Sequence, residues 1–413
     1  MVVRDDDPRQ SRLTVLFRLL LALPHLVWLA LWSIAATVAA WLGWLAALLL
    51  GRLPIPLHRF LAAYVRYGAH VFAYLLLATR RFPGFLGQPG YEFDIEIDPP
   101  VRQRRLGVLV RQFLAFPAAL LAIAIGAGVL FQYPTPIPVA LPLWGGIIWF
   151  AFLAWWAALA VGRTPAGIRD FTVYGIGYRA QHSAYALLLT SCYPHASPAL
   201  VLPGFALPRH PIRLRLADEL HRSRLTVFFR LLLALPHLLW LWLWSIAAWV
   251  IVVVVWIVAL ATGRVPQALH RFLAAYTRYT THVTAFLTVV GGPFPGFVGK
   301  EGSYPVDIEI DPPASQRRLV TFFRAFLAVP AFILAYPLAL ALALLAVGGW
   351  FYALVRGRAP EGLRDLGAIC LRYSAQTNAY VLLLTDRYPC ASPALAGQDT
   401  GEMTEPPIPG DPF

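Results

Sequence analysis

Histidine recurs in this chain at positions that could serve a metal ion or a haem. His25, His58 and His70 return as His237, His270 and His282, and imidazole is a common ligand for zinc, copper and iron. Two further copies of the first position hold Ala118 and Ala331, and neither histidine-bearing helix carries a carboxylate to orient a ring. His25 follows Pro24, where an imidazole can satisfy carbonyls that a proline kink sets free. Packing and hydrogen bonding are therefore the expected roles, with a His-ligated haem or metal membrane protein as an alternative. Asp170 and Asp365 follow Arg169 and Arg364 and could act on lipid at headgroup level. A carboxylate at a helix start is more commonly a complement to the helix dipole. Cys192, Cys370 and Cys390 are odd in number and lack CxxC spacing, which gives neither a disulfide framework nor a metal site. No catalytic, cofactor or metal residue is assigned, and an enzyme is not expected.

The elements that carry these residues are strongly apolar. Hydrophobic residues make up 59% of the 413 positions and charged residues 13%, against about 25% charged in an ordinary soluble chain. Residues 19–50, 112–162, 231–263 and 325–355 contain no Lys, Arg, Asp or Glu. Each run exceeds the ~20 apolar residues that span a bilayer core. The formal charge of +13 comes from arginine, because Lys300 is the single lysine. These arginines flank the apolar runs, so anionic lipid headgroups are the expected partner and nucleic acid is not. The polar, acidic start of the chain, Met1 to Pro8, is not a signal peptide pattern.

Internal repetition organises the whole sequence. Arg12-Leu-Thr-Val-Leu-Phe-Arg18 through Pro24 and His25 returns as Arg224-Leu-Thr-Val-Phe-Phe-Arg230 through Pro236 and His237. Ile95-Glu-Ile-Asp-Pro-Pro100 returns as Ile308-Glu-Ile-Asp-Pro-Pro313, so the two halves are duplicates. A fainter repeat inside each half aligns Arg18, Arg111, Arg230 and Arg324. It also aligns four Gly-Arg-x-Pro motifs: Gly51, Arg52, Pro54; Gly162, Arg163, Pro165; Gly263, Arg264, Pro266; and Gly357, Arg358, Pro360. Four units follow, at 1–90, 91–208, 209–302 and 303–395, with 396–413 read as a disordered, acidic, Pro/Gly-rich tail.

Each unit is expected to hold a strand, a helical hairpin and an amphipathic helix. Tyr91, Phe93, Ile95 and Ile97 alternate with acidic residues, as do Val306, Ile308 and Ile310, a period that reads as a half-buried strand. The third strand, Ile212-Arg-Leu-Arg-Leu216, is basic, so it should pair with an acidic one. Unit one keeps a remnant at Val2-Val3-Arg4. A straight helix over 19–50 would be about 48 Å long against a ~30 Å core. Unit two carries an insertion, Tyr133-Pro-Thr-Pro-Ile-Pro138, that belongs in a loop. A hairpin near Ser33 and Thr37 is preferred over one long helix, and about eight crossings follow on either reading. The helix after each Gly-Arg-x-Pro turn places His58, Arg59, Arg66 and His70 on one face, which suits an interfacial position. Arg18, Arg59, Arg66, Arg111, Arg230, Arg271, Arg278, Arg324 and Arg372 are the expected headgroup ligands.

The strand ending in Asp-Pro-Pro, Leu231-Leu-Leu-Ala-Leu-Pro-His237, the Gly-Arg-x-Pro turn and Leu382-Leu-Leu-Thr-Asp-Arg-Tyr-Pro389 together resemble a mainly actinobacterial membrane family, the domain of unknown function number 4389. The resemblance covers nearly all of 9–395 as four tandem copies, and departs from the pattern at Gly291-Gly-Pro-Phe-Pro295. It brings no activity or site to transfer. The overall expectation is a mainly α integral protein of the plasma membrane, with a small β-sheet and both termini in the cytoplasm. It would act as a non-catalytic scaffold on anionic lipid, with a protein partner or a second copy at the strands. A transporter or channel for an uncharged or apolar molecule is the alternative.

Overall fold

The computed structural model describes residues 2–3, 10–126, 146–201 and 207–395. The tail at 396–413, the Tyr133 to Pro138 insertion and Arg4 lie outside the described residues. The first half runs β1 (Val2–Val3), α1 (Arg12–Leu50), α2 (Ile55–Leu75), β2 (Phe93–Asp94), α3 (Arg105–Ile125), α4 (Gly146–Val161), α5 (Ala166–Ala186) and α6 (Pro198–Val201). The second runs β3 (Ile212–Leu216), α7 (Arg224–Phe228), α8 (Arg230–Thr262), α9 (Gln267–Leu287), β4 (Val306–Ile310), α10 (Arg318–Phe322), α11 (Arg324–Arg356) and α12 (Glu361–Val381).

The helical hairpin expected in each apolar run does not form in units one, three and four. α1 is continuous for 39 residues, and α8 and α11 for 33 each. The polar residues that suggested a turn return their hydrogen bonds to the helix itself: Ser33 Oγ donates to the Ala30 carbonyl at 2.6 Å and Thr37 Oγ1 to that of Ser33 at 2.8 Å. The interruption belongs to unit two alone. There α3 stops at Gly126, whose carbonyl accepts from Ile147 N at 3.2 Å as α4 begins. Among the described residues four helices, Arg12–Leu50, Arg105–Ile125, Arg230–Thr262 and Arg324–Arg356, are long and apolar enough to cross a membrane. They leave large side chains such as Leu49, Leu231, Trp249 and Phe326 exposed, far more apolar surface than water tolerates on a soluble protein. These candidate spans mark the chain as a membrane protein; the described residues hold four of them, where about eight crossings were expected.

Each long helix ends at the Gly-Arg-x-Pro motif for a local reason. Gly51, Gly162, Gly263 and Gly357 have φ of 70, 74, 72 and 70°, the left-handed conformation that closes a helix and favours glycine. Pro54, Pro165, Pro266 and Pro360 then precede the first residues of α2, α5, α9 and α12. Each short helix folds back along its long one. In unit one Trp32 packs on Phe60, Tyr64 and Tyr67 at 6.0, 6.0 and 5.3 Å. In unit three Trp244 packs on Phe272, Tyr276 and Tyr279 at 5.9, 5.9 and 5.4 Å. The short helices are thus buried, not laid in the interface, and in units one and three the charged face meets a strand, through Arg66 and Arg278.

Units associate in antiparallel pairs that exchange ends. Gln10 N donates to Gly162 O and Gln103 N to Gly51 O, both at 2.8 Å. In the second half Arg222 N donates to Gly357 O at 2.9 Å and Gln316 N to Gly263 O at 2.8 Å. Four indoles seal the same ends: Trp155 donates to Val15 O, Trp44 to Val108 O, Trp350 to Val227 O and Trp256 to Thr321 O. β1 pairs antiparallel with β2, and β3 with β4. The basic strand meets an acidic one as its charges require, with Arg213 opposite Glu309 and Arg215 opposite Asp307.

Gly263 has room for a Cβ, whose nearest neighbour would be Gln316 O at 3.7 Å, so only its φ opposes substitution. Gly263→Ala is expected to lower stability by about 1–2 kcal/mol, and Gly263→Asn by less. Thermal unfolding in detergent checks both.

Candidate functional site

The polar chemistry of the molecule is concentrated where each short helix ends. The helix closes on a non-glycine residue in the left-handed region, Leu77, Leu188, Val289 or Leu383, with φ of 61, 63, 63 and 58°. Such a residue costs about 1–2 kcal/mol and turns backbone carbonyls inward. An arginine from the long helix of the same unit collects them. Arg18 Nη1 donates to Tyr74 O at 2.9 Å and Thr79 O at 3.2 Å, while Nη2 donates to Gln10 Oε1 at 2.8 Å. Arg111 reaches Tyr185 O, Thr190 O and Gln103 Oε1, and Arg324 reaches Tyr380 O, Thr385 O and Gln316 Oε1. The guanidinium carbons of Arg18, Arg111, Arg230 and Arg324 lie 4.6, 4.2, 4.6 and 4.7 Å from the ring centroids of Tyr74, Tyr185, Phe286 and Tyr380, in cation–π range.

Unit three varies the device. Arg230 donates to Phe286 O at 2.5 Å, Gly291 O at 3.2 Å and Gly292 O at 3.3 Å. The glutamine of the other units is replaced by Arg222, which donates to Val290 O at 2.8 Å and pairs with Asp218 at 2.6 Å, both side chains almost fully buried. A cleft of about 770 Å³ opens beside it, lined in part by Asp218, Glu219, His221 and Phe294.

A second cluster joins each odd short helix to its strand. In unit one Arg66 Nε lies 3.3 Å and His70 Nε2 3.5 Å from Asp94 Oδ1, and Arg66 Nε also donates to Ile95 O at 3.1 Å. In unit three His282 Nε2 lies 2.7 Å and Arg278 Nε 3.7 Å from Asp307 Oδ1. Arg278 also donates to Ile308 O at 3.1 Å and to Glu301 at 3.1 Å. Burial acts to raise the Asp307 carboxyl, but hydrogen bonds from His282, Gly302 and Ile308 outweigh it and hold the group below its ordinary value. Burial lowers His70 to about 4, against the opposing pull of Asp94. In unit four Arg372 is spent on the carbonyls of Ser392 and Ala394.

The residues expected at headgroups therefore divide. Arg18, Arg111, Arg230, Arg278, Arg324 and Arg372 are buried and engaged with protein, and Arg66 is half-buried on Asp94. Arg59 and Arg271 are exposed, as are the turn arginines Arg52, Arg163, Arg264 and Arg358. The recurring histidines do not converge. His25 Nδ1 meets Tyr67 OH at 2.8 Å and His237 Nδ1 meets Tyr279 OH at 2.7 Å. His58 faces Leu189 O at 3.4 Å, and no group of three His, Cys, Asp or Glu among the described residues could hold a metal ion. Asp365 accepts from Ser197 Oγ at 2.8 Å and from Arg364 at 2.7 Å, tying unit four to unit two. The glutamine partners were readable in principle: Gln10, Gln103 and Gln316 each stand eight residues before the buried arginine.

Three stretches, 12–87, 224–295 and 318–392, match the family described as Domain of unknown function (DUF4389), together more than half of the chain. They fall in units one, three and four. No curated protein and no solved structure matches the chain.

Arg324→Met would leave two buried carbonyls and Gln316 without their donor. At about 1–3 kcal/mol per unsatisfied group, a loss of about 3 kcal/mol or more is expected in detergent unfolding, with a smaller loss for Gln316→Ala. An unfolded histidine binds a proton near pH ~6.5, whereas folded His70 resists it to about 4. The unfolded state thus takes up the proton first, and stability should fall as pH drops from ~6.5 toward ~4. His70→Gln should flatten that part of the melting-temperature profile.

Proposed function

Because this chain belongs to the DUF4389 family and carries four helices long and apolar enough to cross a membrane, we propose that it is a non-catalytic scaffold of the plasma membrane that holds anionic lipid. The observation that carries this reading is the division of the arginines. The buried ones are committed to carbonyls and carboxylates of their own chain. Arg52, Arg163, Arg264 and Arg358 stand exposed at the ends of the lipid-exposed helices, with Arg59 and Arg271 close behind two of them. A guanidinium at that level meets phosphate as a bidentate partner, and each contributes about 1 kcal/mol near an anionic leaflet. The arginine-rich side is the cytoplasmic one under the positive-inside rule. There the charged β3–β4 ribbon, with Arg215 and Glu309 at its surface, serves as the docking face for a protein partner or a second copy.

Lipid mass spectrometry on detergent-purified protein tests the proposal. Wild type should retain phosphatidylglycerol or cardiolipin in excess over the host membrane's share. The combined variant Arg52→Gln, Arg163→Gln, Arg264→Gln and Arg358→Gln should lose most of that excess while keeping its melting temperature. An unchanged lipid ratio in the variant would remove the basis for the reading.

A further inference from the structure

We infer that the long helices lie in the plane of the membrane and that the protein is embedded from one side, with all four Gly-Arg-x-Pro turns on that side. The inference rests on the membrane reading above for its lipid-facing surface, and on the order of the layers for everything else.

A section through the middle of unit three gives that order. α8 presents Trp242 and Trp249, 62% and 69% exposed, on its outer side. Trp244, on the same stretch, packs on Tyr276 and Tyr279 of α9 at 5.9 and 5.4 Å. The neighbouring Arg278 donates to Ile308 O of β4 at 3.1 Å. β3 lies beside β4 and packs on α12, where Gln376 Nε2 donates to Ile212 O at 2.9 Å; its Arg215 side chain is 72% exposed and pairs with Glu309 at 3.2 Å. Apolar helix, short helix and charged strand therefore follow one another at a single level, halfway along α8 and α9.

Unit one repeats the arrangement along its whole length. Tyr91 lies on His70 with centroids 4.6 Å apart, Ile95 O accepts from Arg66, and Gln103 N reaches Gly51 O. The segment from 91 to 103 thus runs beside α2 from its C-terminal half to the turn before it, exposing Glu96 and Asp98 on the way.

These facts decide between two orientations. If α8 stood along the membrane normal, the section through Trp244 would lie at the bilayer midplane. Arg215, Glu309 and the outer edge of a strand would then sit in hydrocarbon. An open strand edge does not occur there, and insertion of one charged side chain costs about 2.5–3.5 kcal/mol. With α8 in the plane, the same section becomes the membrane normal: acyl chains, α8, α9, the β3–β4 ribbon, water. Length agrees, since α1 has 39 residues, about 58 Å at 1.5 Å per residue against a core of ~30 Å. Tryptophan, which favours the interface, is spread along α8 at Trp240, Trp242, Trp244, Trp249 and Trp256 and is not gathered at two ends.

The exchange of ends supplies a test. Gly51 meets the start of unit two and Gly162 the start of unit one, so Arg52 and Arg163 stand at opposite ends of an antiparallel pair. Spanning helices would put them on opposite sides of the membrane, whereas in-plane helices put both on one side. Arg52→Cys and Arg163→Cys are made singly in a Cys192→Ser, Cys390→Ser background and labelled with a membrane-impermeant maleimide in right-side-out and in inverted vesicles. Labelling of both sites in the same vesicle type, together with Glu96→Cys, is the expected result. Labelling of the two turns in opposite vesicle types, or no labelling of Glu96→Cys in either, overturns the inference. Arg264→Cys and Arg358→Cys repeat the comparison in the second half should the first pair fail to accumulate. Sidedness does not depend on which lipid is held, so this outcome and the lipid-retention outcome are separable.

Discussion

A helix that ends inside a protein leaves carbonyls that water cannot reach, and each of the four short helices ends against its own long helix. The chain answers with one buried guanidinium per unit, drawn from a position six residues before the proline of the long helix. Its fork of donors reaches carbonyls on both sides of the left-handed residue, and the aromatic ring beneath it returns part of the lost hydration. Lysine could not span the same set, having one point of charge in place of a planar fork. This contact fixes where the short helix stops and, through a seven-residue step, what lies along it. Arg18, His25 and Trp32 meet Tyr74, Tyr67 and Phe60 in order.

With the ends of the short helices fixed, the long helices are free to pair through theirs. The turn of one unit supplies the acceptor, and a residue two before the first helix of its partner unit supplies the donor, twice in each half. The glutamine that completes the buried arginine is the same residue whose N–H makes the exchange in units one, two and four. Capping and pairing are therefore one construction. Unit three keeps it with different chemistry, using Arg222 and Asp218 where the others use glutamine.

Charge is thereby sorted into two populations with different work. Buried arginines organise backbone, while exposed ones such as Arg52, Arg163, Arg264 and Arg358 stand at the turns beside the apolar surface. The acidic residues follow suit: Asp94 and Asp307 bind short helices to strands, and Asp365 binds one half to the other. A membrane protein poor in charged residues still places eleven of them, among the described residues, inside itself, where an unpartnered polar group is most costly.

Local order in the sequence was enough for the features that local physics governs. Repeats, apolar runs, the glycine that ends each long helix and the pairing of a basic strand with an acidic one follow from residue type and spacing. A hairpin in the apolar run was not decided there, because continuity depends on Ser33 and Thr37 returning their hydrogen bonds to the helix. Nor could the sequence sort Arg18 from Arg52. Both flank apolar stretches, and what separates them is a set of carbonyls 56 and 61 residues away. Composition and periodicity report which faces a helix has. Which of those faces meets lipid, water or another helix is settled by partners distant in the chain, and that only the tertiary structure supplies.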